Sequence, residues 1–220
     1  MDVKKVKIGE VIPIYNEEES IRETISRLIA LRKAQIDQIE FHYIFVDDGS
    51  VDKSLEIMRE ASAIYDFVRV ISLSRNFGHQ IAITAGIDHA EGDYVAIIDG
   101  DLQDPPELIV GMLEVAHQQG CDVVYGKRRS RAGETAFKKS TAALFYRLIR
   151  YMCEIDIPAD TGDFRLMSRR AVDAFSKMRE RHRFVRGMVP WMGYRSAPFE
   201  YDREERFAGE TVQYRLCQFH

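Results

Sequence analysis

The stretch Tyr94-Val95-Ala96-Ile97-Ile98-Asp99-Gly100-Asp101 places two acidic residues directly after an apolar run. A short run rich in β-branched residues is typical of a buried strand, and open α/β sheets bind ligands at the carboxyl ends of their strands. Carboxylates are hard oxygen ligands that suit divalent cations. The stretch therefore predicts a divalent-metal site for a phosphate-bearing substrate. An ordinary acidic turn after a strand is the competing interpretation.

A second apolar run ends in the same way. Residues 41–46 are followed by Asp47-Asp48-Gly49-Ser50. Two parallel strands would deliver both sets of carboxylates to one edge of the sheet, so the repetition favours a functional site. Asp47 is expected to be structural, because Asp in turns accepts hydrogen bonds from the backbone of its own loop.

Apolar runs of strand length alternate with helical patterns through the first half of the chain. Strands are predicted over 8–14, 41–46, 68–73, 94–98 and 123–125, and helices over 20–34, 54–63, 79–89 and 106–117. This alternation predicts an α/β fold with a doubly wound, mostly parallel sheet flanked by helices.

The pattern changes after Gly126. It predicts a helix over 137–152, a loop over 157–163, a strand over 164–167 and a helix over 169–178, while 186–193 show no reliable period. We expect the second half to complete the site as a cap rather than to form a separate domain. Residues 212–220 are interpreted as an atypical or truncated tail.

The composition describes a soluble globular protein of one main domain. The 220 residues carry a net charge of −4, which gives no support for nucleic-acid binding. Cys121, Cys153 and Cys217 are too widely spaced for a zinc ribbon or a disulfide framework, which fits a reducing cytoplasm. Neither a signal peptide nor a membrane span is recognisable. The protein is therefore expected to be cytoplasmic.

Basic residues concentrate in one segment of this acidic chain. Between 127 and 150 one acid, Glu134, stands against Lys127, Arg128, Arg129, Arg131, Lys138, Lys139, Arg147 and Arg150. The segment predicts an anionic partner, either a phosphate or a lipid surface, with a solvated helix face as the alternative. The segment 141–152 combines large apolar side chains with Arg147 and Arg150, a pattern suited to peripheral contact with a membrane and equally to a core-packed helix with a basic outer face.

The loop after the first strand excludes two classes of nucleotide-binding enzyme. It reads Pro13-Ile14-Tyr15-Asn16-Glu17, and the chain contains neither the Gly-x-Gly-x-x-Gly fingerprint of dinucleotide binding nor a P-loop. Without a glycine-rich cradle, phosphate charge needs another partner. A metal on Asp99 and Asp101 would supply it.

Five motifs resemble family 2 glycosyltransferases, and within that family the polyprenyl- and dolichyl-phosphate sugar transferases. They are Pro13-Ile14-Tyr15-Asn16-Glu17, Val46-Asp47-Asp48-Gly49-Ser50, Asn76-Phe77-Gly78-His79-Gln80, Asp99-Gly100-Asp101-Leu102-Gln103-Asp104-Pro105-Pro106-Glu107 and Asp160-Thr161-Gly162-Asp163-Phe164-Arg165-Leu166. The resemblance spans about residues 8 to 211 and implies one catalytic domain over 1–211, with a nucleotide-binding half up to about 126 and an acceptor-binding half from about 127 to 211. It implies a GT-A fold and an inverting, metal-dependent transfer from a UDP- or GDP-sugar.

The resemblance also implies roles for individual residues on the donor side. The nucleotide pocket would be lined by Pro13, Tyr15, Glu17, Val46, Asp48 and Asp99. Mg²⁺ or Mn²⁺ would be held by Asp99, Asp101 and Gln103. Arg203 and Arg206 precede Phe207-Ala208-Gly209-Glu210-Thr211, which is similar to the block that closes over the diphosphate in the family.

The nature of the acceptor stays open at this point. A polyprenyl phosphate is already mostly dianionic at neutral pH, so it needs positioning cations rather than a strong base. The resemblance to the lipid-phosphate transferases implies that Arg128, with Lys138 or Lys139, would position it. Such an enzyme is expected to bind peripherally at the inner face of the membrane. A saccharide hydroxyl must lose a proton, which makes Asp160 and Asp163 candidates for the base, with a helix or turn cap as the alternative for one of them. Asp163 is expected to contact the sugar or the metal-diphosphate region, with Asp160 close behind.

Three further expectations follow from the sequence. An inactive sugar-nucleotide-binding subunit is the nonenzyme alternative, motivated by the atypical tail. His79 at a helix start is expected to satisfy local backbone groups, and Trp191 is expected to be buried. Homo-oligomerisation is left open.

Overall fold

A computed structural model describes residues 5–129, 161–178, 180 and 183–204. Within these ranges seven strands form one sheet, and helices pack on both of its faces. The predicted helix over 137–152 lies outside the described residues, and so do Lys138, Lys139, Asp160 and Arg206.

Strands and helices alternate as far as the fifth strand. The strands are β1 (Val6–Ile14), β2 (Ile39–Asp47), β3 (Val68–Ser72), β4 (Tyr94–Ile97), β5 (Val123–Arg128), β6 (Thr161–Ser168) and β7 (Ser196–Tyr201). The helices are α1 (Ile21–Ala34), α2 (Ser54–Ile64), α3 (His79–His89), α4 (Leu108–Gln119), α5 (Arg169–Ser176) and α6 (Val185–Trp191). The predicted alternation is confirmed, and only the ends of the elements differ.

The order of strands in the sheet is β3-β2-β1-β4-β6-β5-β7. β1 pairs in parallel with both β2 and β4, so the loops that carry the two acidic motifs leave the same edge of the sheet, one on each side of β1. β6 lies antiparallel between β4 and β5, and β7 adds a parallel edge strand beside β5. The predicted doubly wound, mostly parallel sheet is confirmed.

The structure corrects the prediction for three segments after Gly126. Residues 161–163, predicted as a loop, begin β6, because Thr161 pairs with Lys127 of β5. β7 was not recognised because it contains Pro198, which is tolerated on an edge strand. α6 contains Pro190 and Gly187, two residues that weaken helices in isolation, and it is held by the burial of Val185 and Val189.

The close approach of α3 to the sheet sets the position of the first residues of that helix. A Cβ atom at Gly86 would lie 2.2 Å from Cγ1 of Val11, so no larger side chain fits there without movement. Val11 belongs to the core on this face of β1, whereas Ile8 and Ile12 pack on the opposite face. β1 is therefore covered on both sides, as expected for a central parallel strand.

Glu10 departs from the apolar pattern of β1. Its side chain is fully buried, and neither carboxylate oxygen has a hydrogen-bond partner among the described residues. Burial, together with the negative charge of Glu107, raises the pKa of Glu10 to about 8. Between pH 4.5 and about 8 the folded chain therefore holds a proton at Glu10 that the unfolded chain releases.

Replacing Glu10 with glutamine should change how stability depends on pH. Because the folded state binds the extra proton, the wild-type free energy of unfolding should fall with rising pH across this window, by up to about 1.4 kcal/mol per pH unit from this group. Glu10→Gln should remove that decline. The free energy of unfolding of the variant, measured relative to that of the wild type, should therefore increase with pH. Urea unfolding at several pH values measures the difference.

Glu114→Gln is the matched control, since Glu114 is exposed on α4. It should leave the pH profile of stability unchanged. Parallel profiles for wild type and Glu10→Gln would contradict the prediction.

Candidate functional site

A cleft of about 280 Å³ opens at the carboxyl edge of the sheet. Eight residues predicted from the sequence line it, namely Pro13, Tyr15, Glu17, Asp48, Asp99, Asp101, Gln103 and Arg203. Pro13 lies near the end of β1, the loops after β1, β2 and β4 supply the next six, and Arg203 follows β7. The side chain of Val46 is fully buried in the core beside α3 and is not among the lining residues.

The predicted cationic residues separate into two groups. Arg203 lines the cleft, whereas Arg128, at the end of β5, is not among the lining residues that the structure describes. The Arg128 Nε atom is buried and has no hydrogen-bond acceptor within the described residues. Lys138, Lys139 and Arg206 lie outside those residues.

Backbone strain coincides with the cleft. Within the described ranges two non-glycine residues have positive φ, Asn16 at 53° and Leu102 at 60°. Each lies between two cleft-lining residues. Such conformations are uncommon for leucine and persist where surrounding structure imposes them. Leu102 is buried, and Oγ1 of Thr24 in α1 donates a hydrogen bond of 3.0 Å to the carbonyl oxygen of Gly100, which fixes the acidic loop.

Asp99 and Asp101 leave negative charge that the described residues only partly compensate. Nη2 of Arg203 lies 3.9 Å from an oxygen of each carboxylate. Oδ1 of Asp99 is buried without a hydrogen bond from any described residue, although Nε2 of His79 approaches to 3.5 Å. Burial, together with the charges of Asp104 and Asp101, raises the pKa of Asp99 to about 6.

This arrangement fits a divalent cation that is shared with a substrate. The described residues contain no group of three or more His, Cys, Asp or Glu side chains arranged to hold a metal by themselves. Mg²⁺ and similar ions are commonly bound through one or two carboxylates together with substrate phosphates, and Asp99 and Asp101 meet that requirement. A cation there would also compensate the negative charge of Asp99, whose Oδ1 atom is buried.

Asp48 connects two loops at the cleft. Its Oδ1 and Oδ2 atoms accept hydrogen bonds from the backbone N–H groups of Phe77 (2.7 Å) and Gly78 (2.9 Å). Asp48 therefore holds the loop that leads into α3.

The prediction for Asp47 is confirmed, because its Oδ1 accepts a hydrogen bond of 3.0 Å from the N–H of Ser50 in its own loop.

Asp163 lies at the junction of β6, α3 and α6. Its side chain has no exposed surface. One oxygen accepts hydrogen bonds from His79 Nε2 and Gln80 Nε2, both at 3.1 Å, and Arg186 binds both oxygens. Burial favours the neutral acid, but the hydrogen bonds from His79 and Arg186 and the charge of Arg165 outweigh it. They hold the pKa of Asp163 well below its usual range.

The expectation for His79 was wrong. Its ring contacts the carboxylates of Asp163 and Asp99 rather than the local backbone. Burial lowers the pKa of His79, but the hydrogen bond to Asp163 and the nearby negative charges raise it above the ordinary value. Trp191 was also predicted wrongly, since 62% of its surface is exposed.

Sequence reasoning did not assign Arg186, Gln80 or Asp104 to the site. Asp104 is buried below the acidic pair, accepts a hydrogen bond of 2.5 Å from Tyr201 and lies 3.4 Å from Nε of Arg203. Its place three residues after Asp101 was an available signal. No sequence signal indicated Arg186, because it lies in the stretch 186–193, where apolar residues show no regular helix or strand spacing.

Comparison with known proteins identifies the family. A model described as glycosyl transferase family 2 matches residues 11–175. The chain belongs to this family. It is 52% identical over 210 residues to "Uncharacterized glycosyltransferase YkcC" of Bacillus subtilis (strain 168), a match that covers 94% of this chain and 64% of the relative.

Relatives with more specific names also match. The chain is 38% identical over 204 residues to the bactoprenol glucosyl transferase of Shigella phage SfV, covering 93% of this chain and 66% of that protein. The chain thus spans just under two thirds of the length of these curated relatives. None of the helices in the described ranges combines the length and hydrophobicity needed to span a bilayer.

Solved structures agree on the GT-A fold. A mannosyltransferase from Pyrobaculum calidifontis, in complex with GDP-Man and Mn²⁺, has a TM-score of 0.62 at 16% identity, covering 90% of this chain and 56% of that one. Residues 1–349 of S. aureus TarS, in complex with UDP-GlcNAc, have a TM-score of 0.61 at 18% identity, covering 93% and 60%.

Replacing Asp48 with alanine should destabilise the cleft. The change leaves the N–H groups of Phe77 and Gly78 without their acceptor, at a cost of roughly 2–4 kcal/mol in the free energy of unfolding. Asp48→Asn keeps one acceptor oxygen, so its free energy of unfolding should fall by less than that of Asp48→Ala. Denaturant unfolding measures both, with Asp37→Ala, at an exposed position between α1 and β2, as the control. Equal losses in Asp48→Ala and Asp37→Ala would contradict this role.

Proposed function

We propose that this chain carries the catalytic domain of an inverting, metal-dependent glycosyltransferase. It would move a hexose from a UDP- or GDP-sugar to polyprenyl phosphate at the cytoplasmic face of the membrane. The observation that carries the proposal is the Asp99 carboxylate, which lines the cleft and has one oxygen, Oδ1, buried without a hydrogen-bond partner among the described residues. Family membership and the relatives named as bactoprenol glucosyl transferases support the choice of reaction and acceptor.

On the donor side, the chain's own residues would bind and orient the nucleotide. The ring of Tyr15 can pack against the base, and the Glu17 carboxylate can accept hydrogen bonds from base or ribose. Asp99, Asp101 and Gln103 would hold Mg²⁺ or Mn²⁺ against the diphosphate. When bound, this cation would stabilise the charge that develops on the leaving nucleoside diphosphate.

The state of Asp163 disfavours this residue as the base for a saccharide hydroxyl, while Asp160, the other candidate, lies outside the described residues. A hydroxyl requires a base that takes up a proton, and such a base works best with a pKa near the working pH. Asp163 has no exposed surface, is paired with Arg186 and has a pKa well below its usual range. A lipid phosphate is already ionised at neutral pH and needs positioning cations instead.

The acceptor side would combine the predicted cations with the membrane surface. Arg128, Lys138, Lys139, Arg203 and Arg206 would position phosphate groups, and the basic segment 127–150 would face anionic lipid. We further propose that 1–211 form one catalytic domain. β6 supports this, because it lies within the sheet between β4 and β5.

An assay of the wild-type chain with a panel of UDP- and GDP-sugars, Mn²⁺ and polyprenyl phosphate tests the proposal. Release of UDP or GDP should depend on polyprenyl phosphate and be lost with EDTA. A saccharide hydroxyl replacing the lipid as the productive acceptor would contradict the lipid assignment. Nucleotide binding without turnover would contradict the assignment as an enzyme.

Asp101→Ala should reduce turnover at least about 100-fold, because it removes one of two carboxylates from the cation site. The rate of nucleoside diphosphate release measures this effect. Asp66→Ala, an exposed change between α2 and β3, should retain the wild-type rate. Unchanged turnover in Asp101→Ala would overturn the assignment of the metal site.

A further inference from the structure

Arg186 places a guanidinium group on the wall of the cleft. Nε donates a hydrogen bond of 3.0 Å to Asp163 Oδ1, and Nη2 donates one of 2.7 Å to Oδ2. The two partners differ in exposure, since Asp163 is fully buried and the Arg186 side chain is 42% exposed. The buried carboxylate therefore fixes the plane of a guanidinium that faces the solvent-filled cleft.

The orientation of this pair is imposed by three elements. Gln80 of α3 donates to Asp163 through Nε2, and its Oε1 accepts a hydrogen bond of 2.9 Å from the backbone N–H of Val185. Arg165 of β6, itself buried, donates to the carbonyl oxygens of Gly162 (3.0 Å) and Val185 (3.3 Å). The start of α6, which carries Arg186, is thereby tied to both β6 and α3.

Two guanidinium groups meet one carboxylate at this junction. Nη2 of Arg165 lies 3.8 Å from Asp163 Oδ1, and Nη2 of Arg186 lies 2.7 Å from Oδ2. Arg186 thus brings a guanidinium group to a cleft that Asp99 and Asp101 line with carboxylates. A planar guanidinium held in a fixed orientation is the side chain best suited to binding phosphate oxygens.

We propose that Arg186 binds a phosphate group in the cleft and that Asp163 is the positioning residue that orients it. The proposal rests on the proposed function, from which two phosphate sources follow: the diphosphate of the donor and the phosphomonoester of the acceptor. A purely structural ion pair does not need its arginine in the cleft lining. The exposed position of Arg186 is what distinguishes it from the buried Arg165.

The lone tryptophan allows a direct binding test. Trp191 lies in the same helix as Arg186, at its far end, and is exposed, so its fluorescence can report titrations of the wild-type chain and variants. The probes are UDP and GDP, each with Mn²⁺, and polyprenyl phosphate in detergent micelles. Because these measurements need no turnover, they remain informative if the proposed sugar transfer fails.

Arg186→Ala should weaken one of these ligands at least about 10-fold, the effect of losing roughly 1.4 kcal/mol of charge-assisted hydrogen bonding. Weaker nucleoside diphosphate binding assigns Arg186 to the donor, and weaker polyprenyl phosphate binding assigns it to the acceptor. Arg186→Lys should restore only part of the affinity, because an ammonium cannot pair bidentately with Asp163. It also serves as the second variant if Arg186→Ala does not fold.

The double variant separates positioning from mere structural support. Asp163→Asn should weaken the same ligand, and Asp163→Asn combined with Arg186→Ala should bind it no more weakly than Arg186→Ala alone. Arg195→Ala, exposed just before β7 at the opposite edge of the sheet, should leave all affinities unchanged. Wild-type affinity for every probe in folded Arg186→Ala and Arg186→Lys would overturn the proposal, and additive losses in the double variant would overturn the positioning role of Asp163.

Discussion

Parallel pairing of β1 with both β2 and β4 is the constraint on which the rest of the site depends. Strands that run in the same direction end at the same edge, so the loops after Ile14, Asp47 and Ile97 leave the sheet as neighbours. The close contact of Gly86 with Val11 then brings the start of α3 to that edge. Everything in the cleft is attached to this backbone framework.

The framework concentrates carboxylates, and each is stabilised in a different way. Backbone N–H groups bind Asp48, guanidinium and imidazole groups bind Asp163, and Tyr201 with Arg203 contacts Asp104. Burying an ionised carboxylate costs several kcal/mol unless such partners are present. Asp99 and Asp104 are less completely compensated, since one oxygen of each lacks a hydrogen bond from any described residue. The incomplete compensation is consistent with a site that is completed by a cation and a substrate.

Sequence patterns predicted the first half of the fold because they depend on local physics. Runs such as 41–46 and 94–98 bury β-branched residues whatever their partners are, and the acidic loops follow directly from them. The patterns failed where a segment depends on a distant partner. Residues 161–163 contain glycine and aspartate, which favour turns, yet pairing with β5 places them in a strand. α6 includes both glycine and proline, and its stability comes from burial of Val185 and Val189.

By itself, the sequence determined the alternation of strands and helices, the acidic loops at Asp48 and Asp99, and the family resemblance. Each of these features depends on residues that are adjacent in the sequence. Only the tertiary structure decided the surroundings of Asp163. His79, Gln80 and Arg186 reach it from sequence distances of 84, 83 and 23 residues, so no local spacing connects them. Their charges and hydrogen bonds make Asp163 a buried, ion-paired carboxylate in the wall of the cleft rather than a solvent-exposed one. This difference arises only when the chain folds.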